Sequence, residues 1–203
     1  MTAFFLRLLT GVRPRYVGFD PDSAVSGGRV FFANHTSHLD AAVVWASLPP
    51  ALRRLTRPVA AADYWGGGVR RKIAEKVFRA VLVERKKVTR AHNPLAAMEA
   101  AVCGGDSLIL FPEGTRNDCD ADGLAEFRPG LFHLARKCPD LEFVPVYLEN
   151  LNRMLPKGDF LFVPLVATAY FGPPMRMLPG EEKTAFLSRA KAAVEALAAQ
   201  GAT

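Results

Sequence analysis

A histidine and an aspartate near the N-terminus could form a catalytic pair. His35 and Asp40 lie five residues apart, and they directly follow the apolar run at residues 30–33. A histidine at the end of a buried strand can serve as a general base. A nearby carboxylate can fix the tautomer of its imidazole and stabilise the imidazolium that forms when the base takes a proton.

The spacing of this pair restricts how it can form. On one continuous helix, five residues would turn the second side chain about 140° away from the first, so the two would not meet. They meet if His35 lies in the loop after the strand and Asp40 in the first turn of the next helix, with Ser37 as the N-cap. The pattern Ser37-x-x-Asp40 also fits a capping box, in which Asp40 would only cap the helix. Both interpretations stay open at this point.

A second polar segment could bind an anion. The residues Glu113-Gly114-Thr115-Arg116 follow the apolar run at 108–110. A glycine after a strand lets backbone N–H groups approach an anion, and the guanidinium of an arginine can bind a phosphate bidentately. Arg85, at the end of another expected strand, could supply a second phosphate contact. The alternatives are an ordinary turn with a surface arginine at Arg116 and a solvated charge pair at Glu84-Arg85.

The elements that must position these residues alternate between strands and helices. Strands are expected at 29–33, 58–61, 80–84, 107–111 and 142–148, and within 160–171. Helices are expected at 37–48, 63–79, 93–103, 129–138 and 181–200, and a loop at 112–128 is long enough to be functional. This alternation predicts an α/β fold, with a mixed and largely parallel sheet flanked by helices. We expect a single domain over residues 1–203, with its motif-bearing core at about 29–170.

Composition limits the binding partners and the cellular environment that we expect for the protein. The 203 residues carry a formal net charge of +6, which favours phosphate-rich partners such as anionic lipid or nucleic acid. The three cysteines have no metal-binding spacing, so we expect no metal site and a reducing, cytoplasmic environment. No apolar stretch reaches the length of a membrane span. Residues 1–18 could contact a membrane, with Arg7 among the headgroups, or could include a first helix packed on the core. The apolar residues of that contact would be Phe4, Phe5, Leu8 and Leu9.

Taken together, the motifs resemble those of the glycerolipid acyltransferases typified by 1-acyl-sn-glycerol-3-phosphate acyltransferase. Asn34, His35, Ser37 and Asp40 match the family's first block, the H-x-x-x-x-D motif with its flanking residues. The residues Phe111-Pro112-Glu113-Gly114-Thr115-Arg116 match the third block in full, and Val144-Pro145-Val146 matches the fourth. In the second block the arginine is kept as Arg85, but Arg79 stands at the glycine position and Leu82 at the phenylalanine position.

This resemblance implies a glycerol-3-phosphate acyltransferase-like fold and assigns roles to the matching residues. His35 would deprotonate the acceptor hydroxyl, and Asp40 would orient and charge-balance it. Residues that would bind the substrate are Arg85, Glu113, Gly114, Thr115 and Arg116, and residues that would support the site are Asn34, Ser37 and Pro145.

The resemblance also implies the substrates and the location of the enzyme. The donor would be acyl-CoA or acyl-carrier protein, the acceptor a lysophospholipid, and the product phosphatidate, with no metal or other cofactor. We expect the enzyme to bind an anionic membrane surface on its cytoplasmic face, without a transmembrane span and without nucleic acid as a partner. Two alternatives stay open: another lysolipid acceptor, such as a lyso-ornithine lipid, and a non-catalytic basic membrane-binding module. An acyl-ester hydrolase would be a third.

Overall fold

The computed structural model describes residues 2–24, 28–62, 72, 74, 76–84, 93–116, 123–151 and 167–201. The helix expected at 63–79 falls largely outside these residues, and so do Arg85 and most of the segment 160–171. In the ranges that are described, no helix combines the length and the apolar character needed to cross a bilayer.

Seven strands in the described part of the chain form one sheet. They are β1 (Arg13–Tyr16), β2 (Arg29–Ala33), β3 (Thr56–Ala61), β4 (Val81–Val83), β5 (Ser107–Leu110), β6 (Glu142–Glu149) and β7 (Thr168–Phe171). Their order across the sheet is β1-β7-β6-β2-β5-β3-β4. The five strands from β6 to β4 are parallel, whereas β7 is antiparallel to β6 and carries β1 parallel to itself at the edge. The predicted α/β fold with a mixed, largely parallel sheet is confirmed.

The helices flank this sheet. They are α1 (Thr2–Thr10), α2 (Asp40–Ser47), α3 (Pro50–Leu55), α4 (Pro94–Cys103), α5 (Gly130–Lys137) and α6 (Lys183–Gly201). Of these, α1 packs against α2. The expected start of α4 is confirmed, because the Asn93 side chain accepts a hydrogen bond from the Leu95 N–H and Pro94 takes the first helical position. The sequence did not indicate α3 or β1, and α2 is shorter than the predicted 37–48.

The core lies on both faces of the sheet because the side chains of β2 alternate between them. Val30 and Phe32 point to the face covered by α4, α5 and α6. Phe31 and Ala33 point to the face covered by α2 and α3. The residues of β2 from 30 to 33 are fully buried. A strand that is apolar on both sides is typical of the centre of a parallel sheet.

The register of the central strands brings the two polar segments together. Phe32 of β2 pairs with Leu110 of β5, and both strands run in the same direction. The chain therefore leaves both strands at the same edge of the sheet. His35 comes three residues after Phe32, and Glu113 comes three residues after Leu110, so the two segments meet at this edge.

Candidate active site

His35 and Asp40 form the contact that their spacing allows. His35 lies in the loop after β2, and Asp40 is the first residue of α2. The His35 Nδ1 and Asp40 Oδ2 atoms are 2.9 Å apart. The Asp40 side chain is completely buried, whereas the His35 side chain is 20% exposed. The carboxylate is thus shielded from water, while the imidazole stays accessible.

Asp40 determines which nitrogen of His35 carries the proton. Its Oδ2 atom also accepts hydrogen bonds from the backbone N–H groups of Thr36 (2.7 Å) and Ser37 (2.8 Å). An ionised carboxylate can only accept, so the His35 Nδ1 atom must be the donor in their contact. A neutral imidazole then has its lone pair on Nε2, which is the arrangement that a general base requires.

Ser37 is not the N-cap of α2, as the sequence had indicated. The N-cap residue is Leu39, which makes no side-chain capping bond. The Ser37 Oγ atom accepts the Leu39 N–H at 3.3 Å, and the Ser37 backbone N–H goes to Asp40. The capping is therefore reversed, because the aspartate side chain takes the free N–H groups of the preceding turn. The geometry fits the orienting interpretation of Asp40 and not the capping box, because its Oδ2 atom contacts the His35 ring and accepts the N–H groups of Thr36 and Ser37, which precede α2.

Asn34 attaches the histidine loop to the sheet. Its side-chain amide donates to the Leu148 carbonyl oxygen (3.0 Å) and accepts from the Leu148 N–H (2.7 Å). This pair of bonds continues the ladder between β2 and β6 by one more step through a side chain. The residue before His35 is consequently held in place although the strand has ended.

Glu113 connects the histidine loop to two other segments. Its Oε1 atom accepts the His35 backbone N–H at 2.9 Å, and its Oε2 atom accepts the Ala125 N–H at 3.1 Å. Only 4% of Glu113 is exposed. Burial raises the pKa of this carboxyl above its usual range, and the two N–H groups and nearby His35 partly offset that rise. The Glu113 side chain therefore connects the backbone at His35 to the backbone at Ala125.

Two arginines lie beside His35 at the site. The Arg116 Nη1 atom is 2.7 Å from His38 Nε2; because a guanidinium can only donate, that histidine nitrogen is the acceptor. Arg128 donates from Nε to the Glu113 carbonyl oxygen at 3.1 Å. Arg116 was predicted as an anion ligand from its motif, whereas Arg128 was not. Residues 117–122, between Glu113 and Arg128, lie outside the described part of the chain, and no local pattern relates Arg128 to Glu113.

These residues surround one end of a cavity of about 780 Å³. The polar end is formed by His35, His38, Thr115, Arg116 and Arg128. The rest of the cavity is largely apolar, with walls from α2, β3, α4 and the start of α5, and its members include Ala41, Ala42, Val59, Ala61, Ala74, Phe78, Val83, Met98, Leu110 and Leu131. Such a cavity matches an amphiphilic ligand that has an anionic head and a hydrocarbon chain.

Phe111, Gly114 and Pro145 contribute to the surroundings of His35 in different ways. The His35 ring stacks on Phe111 with 4.3 Å between the ring centroids. Gly114, whose backbone φ is +75°, also lines the cavity.

Pro145 pairs with Phe32 within the sheet, so β6 is an interior strand and not the edge that a proline can indicate. Its missing N–H faces the chain after β7, where the Gly172 N–H donates to the Pro145 carbonyl oxygen. In the residues that can be described, no group of His, Cys, Asp and Glu side chains could hold a metal ion.

A histidine oriented by a buried carboxylate, in a cavity with guanidinium groups and apolar walls, can accept a proton next to a bound amphiphilic anion. The acyltransferase family model matches residues 16–149, and the chain belongs to this family. Its fold is similar to that of the crystal structure of the 1-acyl-sn-glycerophosphate acyltransferase PlsC from Thermotoga maritima. The TM-score is 0.74 at 15% sequence identity, over 99% of this chain and 80% of that chain. No curated protein matches the chain.

Proposed function

We propose that this acyltransferase moves a fatty acyl group to the hydroxyl of a lysophospholipid, with 1-acyl-sn-glycerol-3-phosphate as the acceptor and phosphatidate as the product. The donor is acyl-CoA or acyl-carrier protein. The observation that carries the proposal is the position of the His35–Asp40 pair, where the apolar cavity meets the arginines. A hydroxyl beside a phosphate and a fatty acyl chain could occupy this junction.

The chemistry follows from the tautomer that Asp40 imposes. The acceptor hydroxyl gives its proton to His35 Nε2 while its oxygen attacks the thioester carbonyl carbon. The carbon–sulfur bond then breaks, and the imidazolium returns the proton to the departing thiolate. Asp40 stabilises the imidazolium between these two proton transfers. Every atom and charge is balanced without an acyl-enzyme intermediate, and this reaction consumes no metal or other cofactor.

The remaining site residues have different roles in this proposal. Arg116 binds the acceptor phosphate from the rim of the cavity, next to the exposed Thr115. Glu113 positions His35 through its backbone and does not contact the substrate, because both of its oxygens accept N–H groups of the protein. Asn34, Ser37 and Pro145 support the loop and strands that carry the base. Arg85, which lies outside the described residues, stays a proposed phosphate ligand on its motif alone.

The catalytic proposal is tested by replacing the base. General-base catalysis contributes about 10²–10⁴-fold, so His35→Ala should lower kcat by about that factor. The assay follows thiol release from an acyl thioester in the presence of lysophosphatidate. His133→Ala is the matched control, because His133 lies on α5 and does not line the cavity. Full activity of His35→Ala would contradict the mechanism.

The same assay identifies the substrates. A panel of acceptors should include lysophosphatidate, a lyso-ornithine lipid and water alone, each with both donors. Preferred turnover of the lyso-ornithine lipid would move the acceptor to that class. Thioester loss that needs no acceptor would indicate a hydrolase. Binding to anionic vesicles without any turnover would favour the non-catalytic membrane-binding module.

The proposed membrane contact is made by α1. Phe4, Phe5 and Leu8 are 74%, 62% and 72% exposed, so one side of this helix presents large apolar side chains to the exterior. Such a helix can lie in the interface of a bilayer. Arg7, expected among the headgroups, instead donates to the carbonyl oxygens of Ala46 (2.6 Å) and Ser47 (3.1 Å) at the end of α2. Its role is therefore to fasten α1 to the domain.

This contact can be measured separately from catalysis. Phe4→Ser combined with Leu8→Ser should reduce co-sedimentation with anionic vesicles, while turnover of a short-chain, water-soluble acceptor should stay at the level of the unmodified protein. Leu178→Ser is the control, because Leu178 is an exposed leucine (55%) outside α1. Unchanged vesicle binding of the double variant would refute the role of α1.

A further inference from the structure

Arg128 is attached to the turn after β5 by two hydrogen bonds, to Pro112 and Glu113. Its backbone N–H donates to the Pro112 carbonyl oxygen at 2.8 Å, and its Nε donates to the Glu113 carbonyl oxygen at 3.1 Å. The Arg128 side chain therefore lies against the backbone of Glu113 and Gly114, and the hydrogen bond restricts its rotation. One of the five N–H donors of its guanidinium is used in this way, and the two terminal nitrogens have no hydrogen-bond acceptor among the residues that are described.

Gly114 makes this arrangement possible. Its backbone φ of +75° disfavours any residue with a side chain, and a Cβ atom there would overlap the Nε and Cδ atoms of Arg128. The glycine of this segment is thus needed for a close approach between its backbone and an arginine side chain. This close approach is a sufficient reason for a glycine at position 114, and no direct contact between Gly114 and a substrate is needed to account for it.

Arg128 has no carboxylate partner among the residues that the structure describes. Other arginines do: Arg29 pairs with Glu142, Arg57 with Asp106 and Arg189 with Glu181. Arg128 instead lines the cavity together with Arg116 and His35. Arg116 likewise contacts the neutral His38 and no described carboxylate. Two guanidinium groups, neither of them paired with a carboxylate in the described ranges, consequently line the same cavity.

We propose that Arg128 and Arg116 together bind a phosphomonoester, and that Arg128 is the residue that selects it over a phosphodiester or an uncharged headgroup. A phosphomonoester carries a charge of about −1.5 to −2 at neutral pH and three terminal oxygens, so two guanidinium groups can neutralise it. A phosphodiester carries one charge and has two such oxygens. The inference rests on the proposed function, since it names the headgroup of the acceptor at that site.

The test compares acceptors in two variants, Arg128→Gln and Arg128→Lys. Arg136→Gln is the matched control, because Arg136 lies on α5 but does not line the cavity. Hydrogen bonds to charged groups imply that Arg128→Gln raises the KM for lysophosphatidate by about 10- to 150-fold, with little change in kcat. The preference for lysophosphatidate over lysophosphatidylglycerol should shrink by a similar factor. Arg128→Lys, which keeps the charge but loses the fixed guanidinium, should recover part of the preference.

Three outcomes would overturn the inference. The first is an acceptor KM for Arg128→Gln equal to that of the Arg136→Gln control. The second is an unchanged ratio between the phosphomonoester and phosphodiester acceptors, which would leave only a structural role. The third is a raised KM for the donor alone, which would place the phosphates of the donor at Arg128.

A binding measurement separates this inference from the proposed function. sn-Glycerol 3-phosphate should raise the unfolding temperature of the unmodified protein and of Arg136→Gln, and should do so much less for Arg128→Gln. If the unmodified protein shows this shift but acylates no lysolipid, the proposed function fails and the phosphomonoester site stands. If it acylates lysophosphatidate and Arg128→Gln responds to the ligand as the control does, the phosphomonoester site fails and the proposed function stands.

Discussion

The substitution Asp40→Asn would separate the charge of the proposed catalytic pair from its shape. An asparagine whose amide oxygen replaces Oδ2 can still accept the N–H groups of Thr36 and Ser37 and the Nδ1–H of His35. Its NH2 group would then occupy the place of Oδ1, a buried atom with no hydrogen-bond partner in the described part of the chain. The tautomer of His35 is kept, and the negative charge beside it is removed.

The expected loss follows from the distance between the two groups. With an effective dielectric constant of 20, two unit charges about 4 Å apart attract by about 4 kcal/mol. The imidazolium is only partly formed in the transition state, so about 2–4 kcal/mol of stabilisation should disappear. This energy corresponds to a fall in kcat of about 30- to 1000-fold. The KM for the acceptor should change little, because Asp40 is not among the residues that line the cavity.

The assay measures kcat and KM by thiol release, with chemical denaturation of the same samples. Burying an NH2 group without an acceptor should lower the free energy of unfolding by about 1–3 kcal/mol, so the kinetics must be run well below the unfolding midpoint. Asp40→Ala is the comparison variant; it removes the acceptor of three N–H groups and should be less stable than Asp40→Asn. A kcat for Asp40→Asn within about threefold of the unmodified protein, less than 1 kcal/mol, would refute charge stabilisation by Asp40.

Three further predictions test the surroundings of the site. Glu113→Gln should lower the free energy of unfolding by about 1–3 kcal/mol, because its NH2 group would face a backbone N–H. Burial raises the pKa of Glu113, so the stability that this carboxyl contributes is largest below its usual pKa and declines as the pH rises. The free energies of unfolding of the unmodified protein and Glu113→Gln should therefore differ more at pH 4 than at pH 7, as measured by chemical denaturation. Gly114→Ala should displace Arg128 and raise the acceptor KM, and a double-mutant cycle with Arg128→Gln should show that the two effects are not additive. The paired Arg189 lowers the pKa of Glu181, so Glu181→Gln should destabilise the protein at pH 7 and lose this effect as the pH falls below about 4, which thermal unfolding at several pH values would measure.

The sequence predicted the parts of the site that depend on local chain geometry. His35 and Asp40 are five residues apart, and a strand followed by a helix leaves few ways to connect them. Their contact could therefore be expected before any tertiary contact was known. Ser37 was misassigned as the N-cap because a serine before a helix usually caps it with its own oxygen. Here the helix begins at Asp40, two residues later than a Ser37 cap would place it, and the Asp40 carboxylate accepts the N–H groups of Thr36 and Ser37. An ionised acceptor forms stronger hydrogen bonds than a hydroxyl does.

Contacts that join distant segments could not be predicted in the same way. Glu113 and Arg128 are 15 residues apart in the chain and meet through the Glu113 carbonyl oxygen. Neither periodicity nor a motif relates these positions. The edge strand β1 was missed because its four residues, Arg-Pro-Arg-Tyr, are mostly exposed and show no alternation of apolar and polar side chains. The backbone of β1 is extended because it pairs with β7, and its own sequence does not indicate a strand.

The hydrogen bonds of Glu113 link the proposed base to the proposed phosphate site. The side chain of Glu113 holds the backbone N–H of His35, and its carbonyl oxygen holds Arg128. A shift of this one residue would therefore move the base and a phosphate ligand together. Correct transfer requires that the hydroxyl beside His35 and the phosphate bound by the arginines keep a fixed separation, because both belong to one acceptor molecule. Under the proposed function, Glu113 would fix both positions through its hydrogen bonds, so its carboxylate could stand beside an anion site without contacting the anion.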